Sequence, residues 1–257
     1  MSYNIRLDVA SDGANAWPNR ANRVAGLLRF HGPDVFGLQE AMRHQIDALS
    51  EQLSAYEWVG TGRDDGRDAG EFAPIFFRTD RFLLEDHGQF WLSETPEVPS
   101  YGWGASYRRI CTWVVLRERE SGLRLRVLNT HFDHEVEQAR QQSAELILER
   151  LDAWQQSDAM PVVMMGDLNT LPDSAPVHLL TKMLKDALVV SQEPPYGPVG
   201  TFNGFNWDAP LQDRIDFVLV SDEWQVRKYA NLSDSVDRRY PSDHLPVWAS
   251  LSLPQSP

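Results

Sequence analysis

The sequence predicts an α/β fold, and three observations carry that prediction. Short apolar runs of strand length recur along the chain, separated by segments with apolar residues at helical spacing. The first part alternates strand, helix, strand, helix, the order of α/β proteins. The run Val162-Val163-Met164-Met165 ends at Gly166 and is followed by Asp167 and Asn169, a carboxylate and a carboxamide two residues apart. Residues i and i+2 of an extended segment point the same way. That pair therefore stands at a strand mouth, where α/β proteins place ligands.

Residues 2–7 read as a strand, broken by Ser11-Asp12-Gly13-Ala14-Asn15. Asn19 to Phe30 carries Val24, Leu27 and Leu28 at helical spacing and stops at His31-Gly32-Pro33. Asp34 to Leu38 is a strand with Gln39-Glu40 at its end. Arg43 to Leu53 is a helix with Ile46, Leu49 and Leu53 on one face. The middle is richer in strands: Tyr56 to Gly60, Ala73 to Arg78, Phe82 to Trp91, then Ile110 to Arg117 paired with Leu123 to His131 through Glu120-Ser121-Gly122. The polar loop Gly62 to Glu71 has the charge of a calcium loop without its spacing, so it reads as solvated or substrate-facing. Glu135 to Gln155 is the longest helix, with Ala144, Ile147, Leu148, Leu151 and Trp154 as its apolar stripe. After the strand Pro161 to Gly166, Ser174 to Lys185 reads as helix; Ile215 to Val220, Trp224 to Ala230 and Leu245 to Leu253 read as strands. No repeat, low-complexity tract or linker interrupts the series, so one domain is expected over 1–257, with its core at about 2–253.

The 257 residues are 42% hydrophobic and 24% charged, enough apolar material for a sizeable core. The net charge is -13. Such a surface does not attract long duplex DNA, although metal ions neutralise a phosphate site locally. No apolar run approaches the length of a membrane span. The lone Cys111 excludes an internal disulfide and lies mid-strand, a core position. A monomer is expected. No secretory signal precedes the first strand, so a cytoplasmic chain and a periplasmic or secreted one that has lost its leader both stay open.

Polar residues collect at the strand ends: Asn4, Glu40, Asn129, His131, Asp167, Asn169, Asp216, Asp243 and His244. Each has a local explanation, since a carboxylate caps helices and an amide bonds backbone. Asp216, entering the apolar run to Val220, is harder to explain locally, because a buried carboxylate is costly unless paired. His244 is an available partner, and such a pair fixes the imidazole tautomer and raises its basicity.

Together, Tyr3-Asn4-Ile5-Arg6, Gln39-Glu40, Asn129-Thr130-His131-Phe132, Gly166-Asp167-Leu168-Asn169, Arg214-Ile215-Asp216 and Ser242-Asp243-His244 resemble the endonuclease/exonuclease/phosphatase superfamily, in family order from residue 3 to residue 248. Arg63-Asp64-Asp65-Gly66, Gly70-Glu71-Phe72, Phe90-Trp91-Leu92-Ser93, Arg109 to Trp113 and His131 to His134 are similar to loops of a bacterial subgroup. The resemblance implies a four-layered α/β sandwich, two mixed sheets face to face with helices outside. It implies metal-dependent phosphoesterase chemistry with Mg²⁺, and Mn²⁺ as a substitute. Glu40 would be the main metal ligand, with Asn4 nearby and Asp243 on a second ion. Asp167 would orient or deprotonate the attacking water, Asn169 would hold phosphate or nucleophile, and His244, oriented by Asp216, would contact phosphate or serve as base. His131 would assist the phosphate or leaving group. Arg109, Asn129, Phe202 and Asn203 would contact substrate. Trp103, Tyr107, Phe202, Phe205 and Trp207 would either stack on a base or pack their loops. The substrate expected is a small phosphate monoester or diester, a nucleotide or a single-strand end. Duplex DNA cleavage is the alternative within the superfamily, and a silent phosphate-binding module the alternative outside catalysis. A nucleophilic serine or cysteine hydrolase is disfavoured, since no nucleophile elbow is present.

Overall fold

The structure, a computed structural model, describes residues 1–253. In chain order the elements are β1 (Ser2–Asn4), α1 (Trp17–His31), β2 (Val35–Gln39), α2 (Arg43–Gln52), β3 (Tyr56–Val59) and β4 (Ile75–Arg78). There follow β5 (Phe82–Trp91), β6 (Ile110–Glu118), β7 (Arg124–His131), α3 (Glu137–Ser157) and β8 (Val162–Asp167). The last are α4 (Ala175–Leu180), β9 (Lys185–Asp186), β10 (Asp216–Val220), β11 (Gln225–Asn231) and β12 (Val247–Ser252).

These strands form two six-stranded mixed sheets, ordered β11-β12-β1-β2-β4-β3 and β5-β6-β7-β8-β10-β9. Strand β8 shows why its sequence is apolar throughout. Val163 and Met165 point between the sheets with Val127, Val218 and Val247. Val162 and Met164 point outward against Ile147, Leu151, Val177 and Leu180 of α3 and α4. A strand covered on both faces has no polar side to alternate with. On the other sheet, Val24 and Leu28 of α1 and Ile46 and Leu49 of α2 cover Tyr3, Phe36 and Leu38. The result is the four-layered α/β sandwich, helix–sheet–sheet–helix.

Two segments depart from their sequence reading. The helix expected over Ser174 to Lys185 ends at Leu180. Its remainder turns so that Lys185 and Asp186 pair with the edge of β10, where Asp186 meets the buried Arg214 at 2.5 Å. Edge pairing and a buried ion pair override local helix propensity there. The first strand ends at Asn4 and not at residue 7, because Arg6 takes a left-handed φ of 56°.

One side chain ties the two sheets together. Asn129 of β7 is wholly buried and donates to the carbonyls of Leu38 (2.8 Å) and Pro74 (2.9 Å), while accepting from Gln39 Nε2 (2.6 Å). Gly37 makes room for it: a Cβ at that position would lie 2.4 Å from the Asn129 side chain.

Candidate active site

In each sheet the two central strands run parallel, β1 with β2 and β7 with β8. Their carboxyl ends meet at one edge of the sandwich and deliver Asn4, Glu40, His131 and Asp167 together. Strand β10 runs antiparallel to β8 in a register that sets Asp216 opposite Asp167. His244 enters from the segment before β12, held by a bridge to Phe202. Three residues at this edge, Arg6, Glu40 and Asn169, have φ between 48° and 59°. Left-handed backbone at non-glycine positions is costly and collects at functional sites.

The edge opens into a cleft of about 480 Å³ whose lining includes Glu40, Asp243, Arg6, Asp167, His244 and His131. Beyond His131 the same cleft is walled by Glu71, Arg63, Arg109, His134 and Tyr107. A larger cavity of about 570 Å³ lies at the opposite, amino ends of β2, β7 and β8. Its lining mixes apolar core residues with polar ones, and Arg81 there pairs with Asp34 and Glu118. The smaller cleft is the one that gathers acids, bases and cations on one volume.

Asn4 lies behind the cleft, fully buried, and clamps two carboxylates. Its Nδ2 donates to Glu40 Oε1 at 3.1 Å and to Asp167 Oδ2 at 2.9 Å, while its Oδ1 accepts from the Arg6 amide at 3.0 Å. The Leu7 amide donates to Glu40 Oε2 at 3.1 Å. Asp167 also accepts from the Asn169 amide at 2.9 Å. Burial, reinforced by the Asp216 charge, raises the Asp167 carboxyl above its ordinary range.

The two imidazoles beside Asp167 are driven apart in protonation. His244 gives its Nδ1 to Asp216 Oδ2 at 2.9 Å and holds Nε2 3.7 Å from Asp167. Burial alone would lower its pKa, but the carboxylates of Asp216 and Asp167 outweigh burial and raise it well above the usual imidazole value. Burial pushes the His131 pKa well down, and the neighbouring Arg109 and Arg63 charges add to it. Its tautomer follows from hydrogen bonding. The Asn169 amide nitrogen donates to the Phe132 carbonyl (3.0 Å) and to His131 Nε2 (2.9 Å), so Nε2 accepts and the ring proton sits on Nδ1. Nδ1 faces Glu71 Oε2 at 3.8 Å.

The far wall contains residues whose roles the sequence reading did not assign. Arg63 and Glu71 close the loop between them with two contacts of 2.7 Å and turn inward, while Asp65 stays exposed and caps Arg67 and Ala69 amides. That geometry explains the loop's charge without calcium. Arg109 is buried, bonded to His134 at 2.8 Å, with Nη1 unpartnered. The available signals were the Arg63-to-Glu71 loop and His134 within the His131-to-His134 motif. Of the loop aromatics, Tyr107 and Phe202 line the cleft. Trp103 packs against the α3 layer, Phe205 lies under Arg20, and Trp207 stacks on Tyr240. Two expected substrate contacts do not face the cleft. Asn129 has its amide committed between the sheets, and Asn203 is buried, donating to the Ser242 carbonyl at 3.1 Å and accepting from the Phe205 amide at 2.8 Å.

Two carboxylate groupings are candidates for a metal ion. Asp167, Asp216 and His244 have donor atoms within 4.8 Å of one another. Asp216, however, is wholly buried, with its Oδ2 committed to the imidazole, and it does not line the cleft. Glu40 and Asp243 instead present oxygens to the cleft, the donor type that Mg²⁺ and Mn²⁺ take. Burial raises the Asp243 carboxyl, a bias that a bound cation reverses.

A family model described as the Endonuclease/Exonuclease/phosphatase family matches residues 1–244. The mannosyl-6-phosphatase Bt3783 of Bacteroides thetaiotaomicron superposes with a TM-score of 0.94 at 36% identity, covering 98% of each chain. An endonuclease/exonuclease/phosphatase of Bacteroides vulgatus superposes with a TM-score of 0.93 at 34% identity, covering 98% of this chain and 97% of that one. An uncharacterised protein of Acanthamoeba polyphaga mimivirus is 29% identical over 161 residues, 60% of this chain and 59% of its own length. The chain spans less than two thirds of the length of each of the curated relatives that it matches, at 59%, 17% and 51%.

Proposed function

The chain belongs to the endonuclease/exonuclease/phosphatase family, whose members hydrolyse phosphate esters, and on that premise we propose that it is a divalent-metal-dependent phosphoesterase acting on a compact phosphomonoester. The observation that carries the reading is the convergence of Glu40, Asp243, Asp167, His131, His244 and Arg109 on one cleft of about 480 Å³. Acid, base and cation at one small volume suit attack of water on a charged phosphorus centre.

Glu40 and Asp243 would hold the ion, with Asn4 fixing the Glu40 carboxylate from behind. When bound, the ion offsets charge on the phosphate oxygens and on the leaving oxygen. Asp167, aimed by the Asn4 side chain and the Asn169 amide, orients the attacking water and takes its proton. His244, kept cationic between Asp216 and Asp167, donates Nε2–H to a phosphate oxygen. His131, neutral with its proton on Nδ1, sits between Asp167 and Glu71 on the leaving-group side. Arg109, which lines the cleft, would set its positive charge against the substrate phosphate.

The monoester preference is supported by the name of the Bacteroides thetaiotaomicron relative, by the compact cleft, and by a net charge of -13 that disfavours tracking along a duplex. The test is a panel of hexose 6-phosphate, nucleoside monophosphate, bis(p-nitrophenyl) phosphate and plasmid DNA, each with Mg²⁺ and Mn²⁺. Monoesters should have the highest kcat/KM, with shallow salt dependence. Plasmid nicking that is faster than these and collapses with salt would make duplex DNA the substrate.

A further inference from the structure

We propose that the wall beyond His131 is the leaving-group subsite and that Arg63 and Glu71 set its selectivity, so that the cleft takes phosphomonoesters of uncharged polyhydroxy alcohols and rejects those with a second anionic group. The inference rests on the phosphomonoesterase reading above, which places the leaving group on the His131 side. The wall carries two guanidiniums, and each is already matched by a carboxylate. Arg63 is buried and meets Glu71 through two contacts of 2.7 Å, Nη1 to Oε2 and Nη2 to Oε1. Arg109 is buried with its Nε 3.6 Å from Oδ2 of the buried Asp133. Further out, Arg108 pairs with Asp64 at 3.4 Å. A carboxylate or second phosphate on the leaving group therefore meets a wall without net positive charge. Taking water from an anion without giving it a partner is costly.

The same wall is suited to hydroxyl groups. Both Glu71 oxygens face the Arg63 fork, which holds Glu71 as a carboxylate: burial raises its pKa, and the Arg63 charge opposes that rise. A carboxylate oxygen engaged once keeps a lone pair, so Glu71, which lines the cleft, can still accept from a hydroxyl. A hydroxyl both donates and accepts, and it matches a donor and an acceptor set side by side. Tyr107 stands next to this pair, its ring centre 5.4 Å from the Arg63 guanidinium carbon and 5.5 Å from the His134 ring. It is 45% exposed and lines the cleft, so it adds an apolar contact for the C–H groups of a sugar or alditol. The wall thus has the groups that read hydroxyls and lacks an unmatched cation for a second anion.

The experiment compares kcat/KM, with Mg²⁺, for sorbitol 6-phosphate, 6-phosphogluconate and n-hexyl phosphate. All are primary esters of a six-carbon chain. The second has a carboxylate where the first has a hydroxymethyl group, and the third has no hydroxyls. Wild type should prefer sorbitol 6-phosphate to 6-phosphogluconate by at least about tenfold, the effect of one unit charge at a partly buried site. It should prefer it to n-hexyl phosphate by at least about tenfold, as a site built for hydroxyls does. Glu71→Gln leaves the Arg63 charge unmatched and should lower the sorbitol-to-gluconate ratio at least about fivefold, whereas Arg63→Met leaves Glu71 unmatched and should raise it. Effects on the chemical step cancel in the ratio, because the esters share the phosphate and a primary leaving oxygen. If the pair only holds the loop closed, the ratio moves the same way in both folded variants or stays put, and either result would overturn the inference. A wild-type ratio near one for either comparison would also overturn it, with the monoesterase reading intact and no variant needed. Cleavage of plasmid DNA and of none of these esters would strike the inference and that reading together.

Discussion

Asp216→Asn is the perturbation that isolates the His244 pair. Asp216 is wholly inaccessible, its Oδ2 lies 2.9 Å from His244 Nδ1, and its Oδ1 has no partner. Asparagine keeps the shape, and its carbonyl can still accept from Nδ1–H, so the loss is the charge. Hydrogen bonds to charged groups contribute about 1.5–3 kcal/mol. A neutral acceptor keeps about 0.5–1.5 kcal/mol of that, so if the difference of about 1–1.5 kcal/mol is felt in the transition state, kcat falls roughly 5- to 13-fold. The carboxylate also opposes Asp167 across β8 and β10, and removing it relieves that like-charge pairing. The fold should therefore persist with unchanged or improved thermal stability. Asp216 raises the His244 pKa, so its loss lowers that pKa, and the alkaline fall in kcat should move to lower pH. His244→Ala should cost more, and the double variant should be no worse than His244→Ala within about threefold, because Asp216 acts through the imidazole. Steady-state kinetics on a phosphomonoester across pH, with circular dichroism as the folding check, decides the matter. Activity within twofold of wild type, or full additivity in the double variant, would refute the reasoning.

Other outcomes follow from the same geometry. The folded pKa of Asp167 is raised from 3.8 to about 7, so the native state keeps this proton where the unfolded state has lost it. Metal-free protein should thus lose stability as pH rises through that window. Thermal melts of Asp167→Asn should decline less from pH 4 to pH 7, and an identical decline would contradict the assignment. Arg109→Lys should lower kcat/KM on a monoester by at least about tenfold, since lysine cannot reproduce a planar guanidinium held by His134 at the cleft wall. Unchanged kinetics would remove Arg109 from the substrate contacts.

Much of this architecture was legible in the chain because the core strands are apolar on both faces and end at punctuating polar residues. The run Val162 to Gly166 announced a buried strand and the polar pair at its mouth. Asp216 announced a partner because an unpaired carboxylate does not enter an apolar strand, and His244 is that partner. What the sequence hid was direction in space. Asn129 and His131 share a strand and a parity, yet Asn129 lies deep between the sheets while His131, at the strand end, reaches the cleft. Arg63 and Glu71 stood in a loop that read as solvated or substrate-facing, and only the closed loop shows that its two ends turn inward. The short helix after β8 failed for a similar reason: the edge of β10 and the buried Arg214 claimed Lys185 and Asp186 from it.

Metal dependence centred on Glu40 is tested most directly by following inorganic phosphate released from a hexose 6-phosphate through a cycle of chelation and Mg²⁺ return. Wild type should fall to background with EDTA and recover fully with excess Mg²⁺. Glu40→Gln keeps the size of the side chain while removing the charge and one of the two acceptor oxygens that Asn4 and Leu7 use, and it should stay near background throughout. Phosphate release that persists in EDTA, or a folded Glu40→Gln variant with near wild-type turnover, would contradict the account.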